Sequence, residues 1–317
     1  MKVTDHIRQA TKPIISLEIL PPAKGRGIDS IFKVLDSFVE FKPSFINVTY
    51  HRAEQMFKKR SDGNFERVEI RKRPGTVGIC AAIINRYNVD AVPHMICGGF
   101  SKEETENALI DLHYLGVSNV LALRGDAAAN EKFFTPHPQG HRYAEELVGQ
   151  IMELNKGQYQ ESDIIDGLKS DFCIGVAGYP EKHIEAPNLD TDIYYLKRKI
   201  ELGAEYVTTQ MFFDNAHYYN YVQKCRENNL NIPIIPGLKP ITNKKQLSIV
   251  PSVFNVDIPI ELTTEMLKAK TDAACEQIGE EWLLAQCKDL LKNGTPILHF
   301  YTLGKPHVIQ NVLEKLF

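Results

Sequence analysis

A carboxylate stands in an otherwise apolar run: Glu18 lies between Leu17 and Ile19 in IISLEIL (Ile14 to Leu20), directly before Pro21 and Pro22. Desolvation in such a run disfavours the charged form, and a carboxyl still protonated near neutrality can serve as a general acid. A strand-end glutamate paired with a basic residue is the competing reading. LRGD (Leu123 to Asp126) offers a cation, a glycine backbone that a ligand can approach closely and an anion, although a plain salt bridge would use the same residues. In DIYYLKRK (Asp192 to Lys199), helical spacing puts Asp192, Tyr195 and Lys199 on one stripe with Arg198 beside it. Those two cations suit phosphate oxygens, or a solvated helix face. His94 reads either as a core histidine or as a site residue. His137 and His141 in HPQGH lack a supporting Cys or carboxylate cluster, so no metal is expected. No GxGxxG follows a strand and no Walker-type loop is present, which leaves a Rossmann or P-loop nucleotide site unsupported.

The elements that must position these residues alternate. Short β-rich runs are expected at Ile14 to Leu20, Ser44 to Tyr50, Ala91 to Cys97, Asn119 to Asp126, Phe172 to Pro180, Tyr206 to Asp214, Ile232 to Leu238 and Ile297 to Leu303. Amphipathic helices lie between them, among them Ile28 to Phe41 and SKEETENALIDLHYLG, where Ser101 and Glu104 form a capping box and Gly116 a stop. Strands separated by helices pair in parallel through right-handed crossovers. Eight such units close into a (β/α)8 TIM barrel, with an open doubly wound sheet as the alternative. A single domain over residues 1–317 is expected, with insertions at 61–74 and 259–293. In a barrel the site forms at the C-terminal strand ends. Glu18, Asn47 with Thr49, His94, Arg124 with Asp126 on one face, Tyr179, Gln210, and His299 with Tyr301 all fall there.

Composition narrows the partners. A formal net charge of −3 gives no surface for neutralising a nucleic-acid backbone, and a small-molecule partner is expected. The basic runs at Lys58 to Arg60 and Arg71 to Arg73 are interleaved with Asp62, Glu66 and Glu69 and read as a solvated face. Six scattered cysteines without a CxxC pair read as reduced core residues, and no apolar run reaches the length of a membrane span, so a cytoplasmic protein is expected.

Nine ordered segments carry a resemblance: LEILPP (Leu17 to Pro22), KPSFINVTY (Lys42 to Tyr50), PHMIC (Pro93 to Cys97), LALRGD (Leu121 to Asp126), GYPEKHIEA (Gly178 to Ala186), LKRKIELGA (Leu196 to Ala204), TQMFFD (Thr209 to Asp214), IIPGLKPI (Ile234 to Ile241) and HFYTL (His299 to Leu303). Together they resemble the methylenetetrahydrofolate reductase family over nearly the whole chain. The resemblance implies a barrel that holds FAD, is reduced by NADH or NADPH, and converts 5,10-methylenetetrahydrofolate to 5-methyltetrahydrofolate, which supplies methyl groups for methionine synthesis. It also implies a homo-oligomer and the short, bacterial-type form.

Matched by motif, the flavin contacts are Thr49, Tyr50, His94, Arg124, Gly125, Asp126, Tyr143, Ala144, Tyr179, His183, Asp192, Arg198 and Lys199. Glu18 matches the acid that protonates the folate, and Asp126 the carboxylate beside the flavin. Gln210 and Lys305 match substrate contacts, and Phe212 or Phe213 an apolar wall. Two positions depart from the pattern. Lys244 stands where an aromatic is common, and Lys305 where an Arg is common, which keeps the charge but loses bidentate recognition.

Overall fold

The computed structural model describes residues 1–127, 131 and 133–317. A short helix α1 (Val3–Gln9) leads into β1 (Ile14–Ile19), α2 (Asp29–Asp36) and β2 (Phe45–Val48). An antiparallel hairpin follows, β3 (Glu54–Lys59) with β4 (Phe65–Ile70), then α3 (Thr76–Tyr87), β5 (Asp90–Ile96), α4 (Lys102–Tyr114) and β6 (Asn119–Leu123). The chain continues through α5 (Ala144–Asn155), β7 (Cys173–Gly178), α6 (Leu189–Glu201), β8 (Tyr206–Met211), α7 (Asn215–Glu227) and β9 (Ile234–Leu238). It closes with α8 (Gln246–Phe254), α9 (Ile260–Lys268), α10 (Asp272–Lys292), β10 (Ile297–Tyr301) and α11 (Pro306–Leu316).

Eight of the strands form a closed parallel barrel in the order β1-β10-β9-β8-β7-β6-β5-β2, a single-domain (β/α)8 fold. The hairpin lies outside this ring and starts at Glu54, ahead of the 61–74 stretch that breaks the sequence rhythm. Gly63, at φ +89, makes its turn.

Alternation along each strand divides the side chains between two environments. Leu17 and Ile19 of β1 join the layer between strands and helices, while Ser16 and Glu18 face the barrel axis. At the N-terminal end the axis is filled by an apolar plug that includes Phe45, Val92, Leu121, Tyr206 and Ile297. Gly175 makes room for the Tyr206 ring, since a Cβ there would lie 2.2 Å from a ring carbon. Helix α1 seals this end: Val3 packs into the plug and its backbone N–H donates to Asn119 Oδ1 at 2.8 Å. The polar residues are thus displaced to the opposite end, the mouth.

Local signals act as their chemistry dictates. Ser101 Oγ accepts from the Glu104 N–H at 3.1 Å while Glu104 Oε2 accepts from the Ser101 N–H at 2.8 Å, and Gly116 leaves the helix at φ +74. The strand expected to reach Asp126 instead stops at Leu123, because Gly125 takes φ +83 and breaks the extended repeat. Strand alternation therefore does not set Arg124 and Asp126 on one face. All six cysteines are buried and free. Among the described residues, no helix is long and apolar enough to cross a membrane.

Candidate active site

Strand register sets the centre of the mouth. Glu18 is level with Asn47 on β2 and with Tyr301 on β10. Its Oε2 lies 3.5 Å from His94 Nε2 and 3.9 Å from His299 Nε2, and its side chain keeps 18% exposure. The apolar neighbours in sequence therefore do not surround the carboxylate; its surroundings are imidazoles, because Leu17 and Ile19 point the other way. His94 is buried, which pulls it down to about 4, so it is a neutral imidazole at pH 7. Its Nε2 lies 3.4 Å from Asn47 Nδ2. His299 Nδ1 lies 2.8 Å from Ser16 Oγ. The register of β9 on β10, His299 opposite Gly237, carried two residues on, brings Lys239 level with Tyr301. Lys239 is only 8% exposed, and its ammonium donates to the Leu303 carbonyl. Burial lowers this lysine to about 8, with the charge of Glu18 opposing the fall. Sequence reasoning missed Lys239. The signal was present in IIPGLKPI, where a lysine follows Gly237 on the same inward face.

A second group lies at the ends of β6, β7 and α6. Arg124 pairs with Glu185 through two bonds of 2.5 and 2.8 Å, and its guanidinium lies over the Phe134 ring at 5.0 Å. Tyr179 packs edge-on against His183 at 4.8 Å, and burial raises its phenol with Asp192 and Asp126 adding to the effect. The His183 N–H donates to Asp192 Oδ2 at 2.9 Å. Burial pushes Asp192 up and Lys199 down, while their opposite charges resist both shifts. Arg198 pairs with Glu145 at 3.0 Å in the first turn of α5, beside Tyr143 and Ala144. His51 bridges the two groups electrostatically: burial and Arg73 lower it, while Asp126 and Glu18 both oppose.

A cavity of about 630 Å³ opens beside the mouth, lined by Tyr50, His94, Ile96, Phe100, Arg26 and Arg71 among others. Tyr50 is fixed there by the Phe100 ring at 5.0 Å and by a 3.0 Å bond donated from Arg71. Gly125 packs on Ile96, where a Cβ would meet a side-chain carbon at 3.3 Å. Gln210 sits where the β8–β9 register is irregular, and its Oε1 accepts from the Met211 N–H at 2.9 Å. Among the described residues, Asn47 Oδ1, Thr49 Oγ1, Thr208 Oγ1 and His299 Nε2 are buried without a hydrogen-bond partner. Buried polar atoms of this kind point to a missing ligand or water.

Lys305 and Lys244 follow the C-terminal ends of β10 and β9: the Lys305 ammonium is 3.1 Å from Glu276 of α10, and Lys244 donates to the Leu267 carbonyl at 2.8 Å. Phe212 stacks on Tyr218 at 5.3 Å, and Phe213 is buried in the cluster with Met211 and Ile241, so both rings belong to the core and neither forms an open wall.

The model of the methylenetetrahydrofolate reductase family matches residues 2–317. The chain belongs to the methylenetetrahydrofolate reductase family. Within that family it is 31% identical to methylenetetrahydrofolate reductase (NADH) 1 of Arabidopsis thaliana, over 96% of this chain and 49% of the relative. It is 29% identical to 5,10-methylenetetrahydrofolate reductase of Pectobacterium carotovorum subsp. carotovorum, over 95% of this chain and 89% of the relative. The chain thus spans about half the length of the plant and yeast relatives it matches. A solved structure from Clostridium thermocellum, of an uncharacterized protein that binds two copies of 5-methyl-5,6,7,8-tetrahydrofolic acid, aligns with a TM-score of 0.56. That match covers 98% of this chain and 96% of the other at 14% identity, and speaks for the shared fold.

Proposed function

We propose that this chain reduces 5,10-methylenetetrahydrofolate to 5-methyltetrahydrofolate, with FAD held at the barrel mouth and NADH or NADPH as reductant. The product would supply methyl groups for methionine synthesis. The observation that carries this reading is the position of Glu18 in a chain of this family. It is a carboxylate at the centre of the mouth, flanked by a neutral imidazole and facing a buried ammonium.

The residues present suit FAD. Gly125 offers bare backbone at φ +83, and the orphaned Thr49 and Asn47 oxygens need donors. Arg198, Lys199 and the N-terminus of α5, beside Tyr143 and Ala144, together favour phosphate oxygens. Tyr50, Tyr179, His183 and Asp192 would line the remainder. FAD, when bound, supplies the redox chemistry, accepting a hydride from the nicotinamide and yielding it to the folate.

The chain's own residues handle the proton and the charge. Glu18 would protonate the bridging nitrogen of the folate, so that one carbon–nitrogen bond of the methylene bridge breaks and a cationic methylene is left on the other nitrogen. Hydride transfer to that carbon completes the methyl group. Asp126 would stabilise the cation, and Gln210 would hydrogen-bond the folate. His94, neutral at pH 7, does not compete with Glu18 as a charged proton donor.

Purified protein should be yellow, or become so with added FAD, and should oxidise NADH or NADPH on addition of methylenetetrahydrofolate. Protein that takes up no FAD and oxidises neither nucleotide overturns the proposal.

A further inference from the structure

Outside the mouth cluster, three metal-ligating side chains converge on the rim. Glu181 lies in the connection after β7, His217 in the first turn of α7, and Asp257 between α8 and α9. One ligand atom from each lies within 4.8 Å of the others. Bonds of about 2.0–2.2 Å around one ion place ligand atoms roughly 3–4 Å apart, so small side-chain movements would close the site. A cavity of about 310 Å³ opens on the same three residues.

A second observation is independent of this proximity. Glu181 Oε2 accepts the Asp257 backbone N–H at 2.6 Å, but Glu181 Oε1 is buried with no hydrogen-bond partner. Lys182, the cation on the cavity wall, is directed elsewhere: its ammonium donates to the Ala186 carbonyl at 3.0 Å and lies 3.4 Å from the His183 carbonyl. A buried acceptor without a donor thus stands beside a second carboxylate and an imidazole, an arrangement that a cation would satisfy.

We infer that Glu181, His217 and Asp257 form a divalent-metal site that takes Zn²⁺ or Mn²⁺, with water completing the coordination. One imidazole among carboxylates favours such an ion over Mg²⁺, which prefers oxygen ligands, and over Cu(I), which prefers sulfur. The ion would tie together the connections after β7 and α8 and the start of α7. Glu181 lies between Tyr179 and His183 in the chain, so metal binding would fix the segment that carries both.

The test is calorimetric titration of the chelator-treated, full-length protein with ZnCl₂, MnCl₂ and MgCl₂, and it does not depend on folate activity. Expected is one equivalent of Zn²⁺ or Mn²⁺, bound at least about tenfold more tightly than Mg²⁺. The melting temperature should rise with that metal's concentration. His217→Ala should weaken binding at least about tenfold, since one of three protein ligands is lost. No binding by the unmodified protein, or equal affinity in His217→Ala, overturns the inference. If that variant does not fold, exposed Asp257→Asn decides on the same criterion.

Discussion

Glu18 Oε2 stands 3.5 Å from His94 Nε2, and because burial holds that imidazole near 4, the contact is not an ion pair at neutral pH. A buried neutral histidine beside a carboxyl can share a proton with it and does not lock it as a counter-ion. The one buried cation facing Glu18 among the described groups is Lys239, whose ammonium is tied to the Leu303 carbonyl.

The first prediction concerns the proton. Glu18→Gln keeps the shape of the side chain but removes its acidity. Folate turnover should fall by about 10²–10⁴, the usual worth of a positioned acid. Oxidation of NADH or NADPH with an artificial electron acceptor should stay near its starting rate, since no folate is protonated in that half-reaction. Steady-state assays of both reactions on one preparation make the comparison, and undiminished folate turnover would refute the role of Glu18.

Lys239 gives a prediction about stability. Its folded value of about 8 lies below the ordinary 10.5, so its contribution to stability is complete above about pH 10.5 and is lost as pH falls to about 8. At pH 7 the buried ammonium therefore costs about 3 kcal/mol. Lys239→Met removes that cost and also the bond to Leu303, worth about 1–2 kcal/mol. The variant should melt a few degrees higher at pH 7, with the gain shrinking as pH rises through 8 to 10. Melting curves across that range test the sign, and a variant less stable at pH 7 than at pH 10 relative to the parent would contradict it.

The barrel was legible in the sequence because its signals are local. Each barrel strand is a short β-rich run, and the alternation of strand and helix, broken only by the β3–β4 hairpin and the α8–α10 run, leaves few topologies. The limits of legibility lie where long-range geometry decides. Glu18 was picked out for its apolar neighbours, yet those neighbours face the helices, and its real surroundings come from β5, β9 and β10. Lys239, just past the end of β9, was passed over because nothing in its local sequence shows that the barrel brings it to face Glu18. Arg124 and Asp126 were assigned one face by counting, which fails once Gly125 adopts a positive φ. Glu181, His217 and Asp257 come from two connections and the first turn of α7, so no spacing rule could gather them.

The third prediction tests the cation pair on α6. Half-buried Lys199 is held below its ordinary range by desolvation, with Asp192 and Glu145 opposing, a cost that an anionic ligand would offset. Lys199→Met should weaken FAD binding by about 10- to 100-fold, the equivalent of one charge-assisted hydrogen bond. Fluorescence titration of FAD into stripped protein measures this. An unchanged dissociation constant would remove Lys199 from the cofactor site.

The last prediction joins the fold to the site through a glycine. Gly237 of β9 donates its N–H to Thr209 Oγ1 at 2.9 Å, and a Cβ built on it would lie 2.2 Å from the Thr209 carbonyl oxygen and 2.7 Å from the Tyr301 ring. The Tyr301 hydroxyl donates to that same carbonyl at 2.6 Å, and Tyr301 is the register partner of Glu18. Gly237→Ala cannot be absorbed by moving the end of a flexible chain, because backbone stands on one side and a packed ring on the other. The expected cost is about 1–3 kcal/mol of stability, seen as a lower denaturation midpoint. Tyr301 must also be displaced, so folate turnover at a temperature where the variant is fully folded should drop more than the rate of the nucleotide half-reaction. Parallel loss of both rates would mean that the glycine serves the barrel alone and that Tyr301 does not position Glu18.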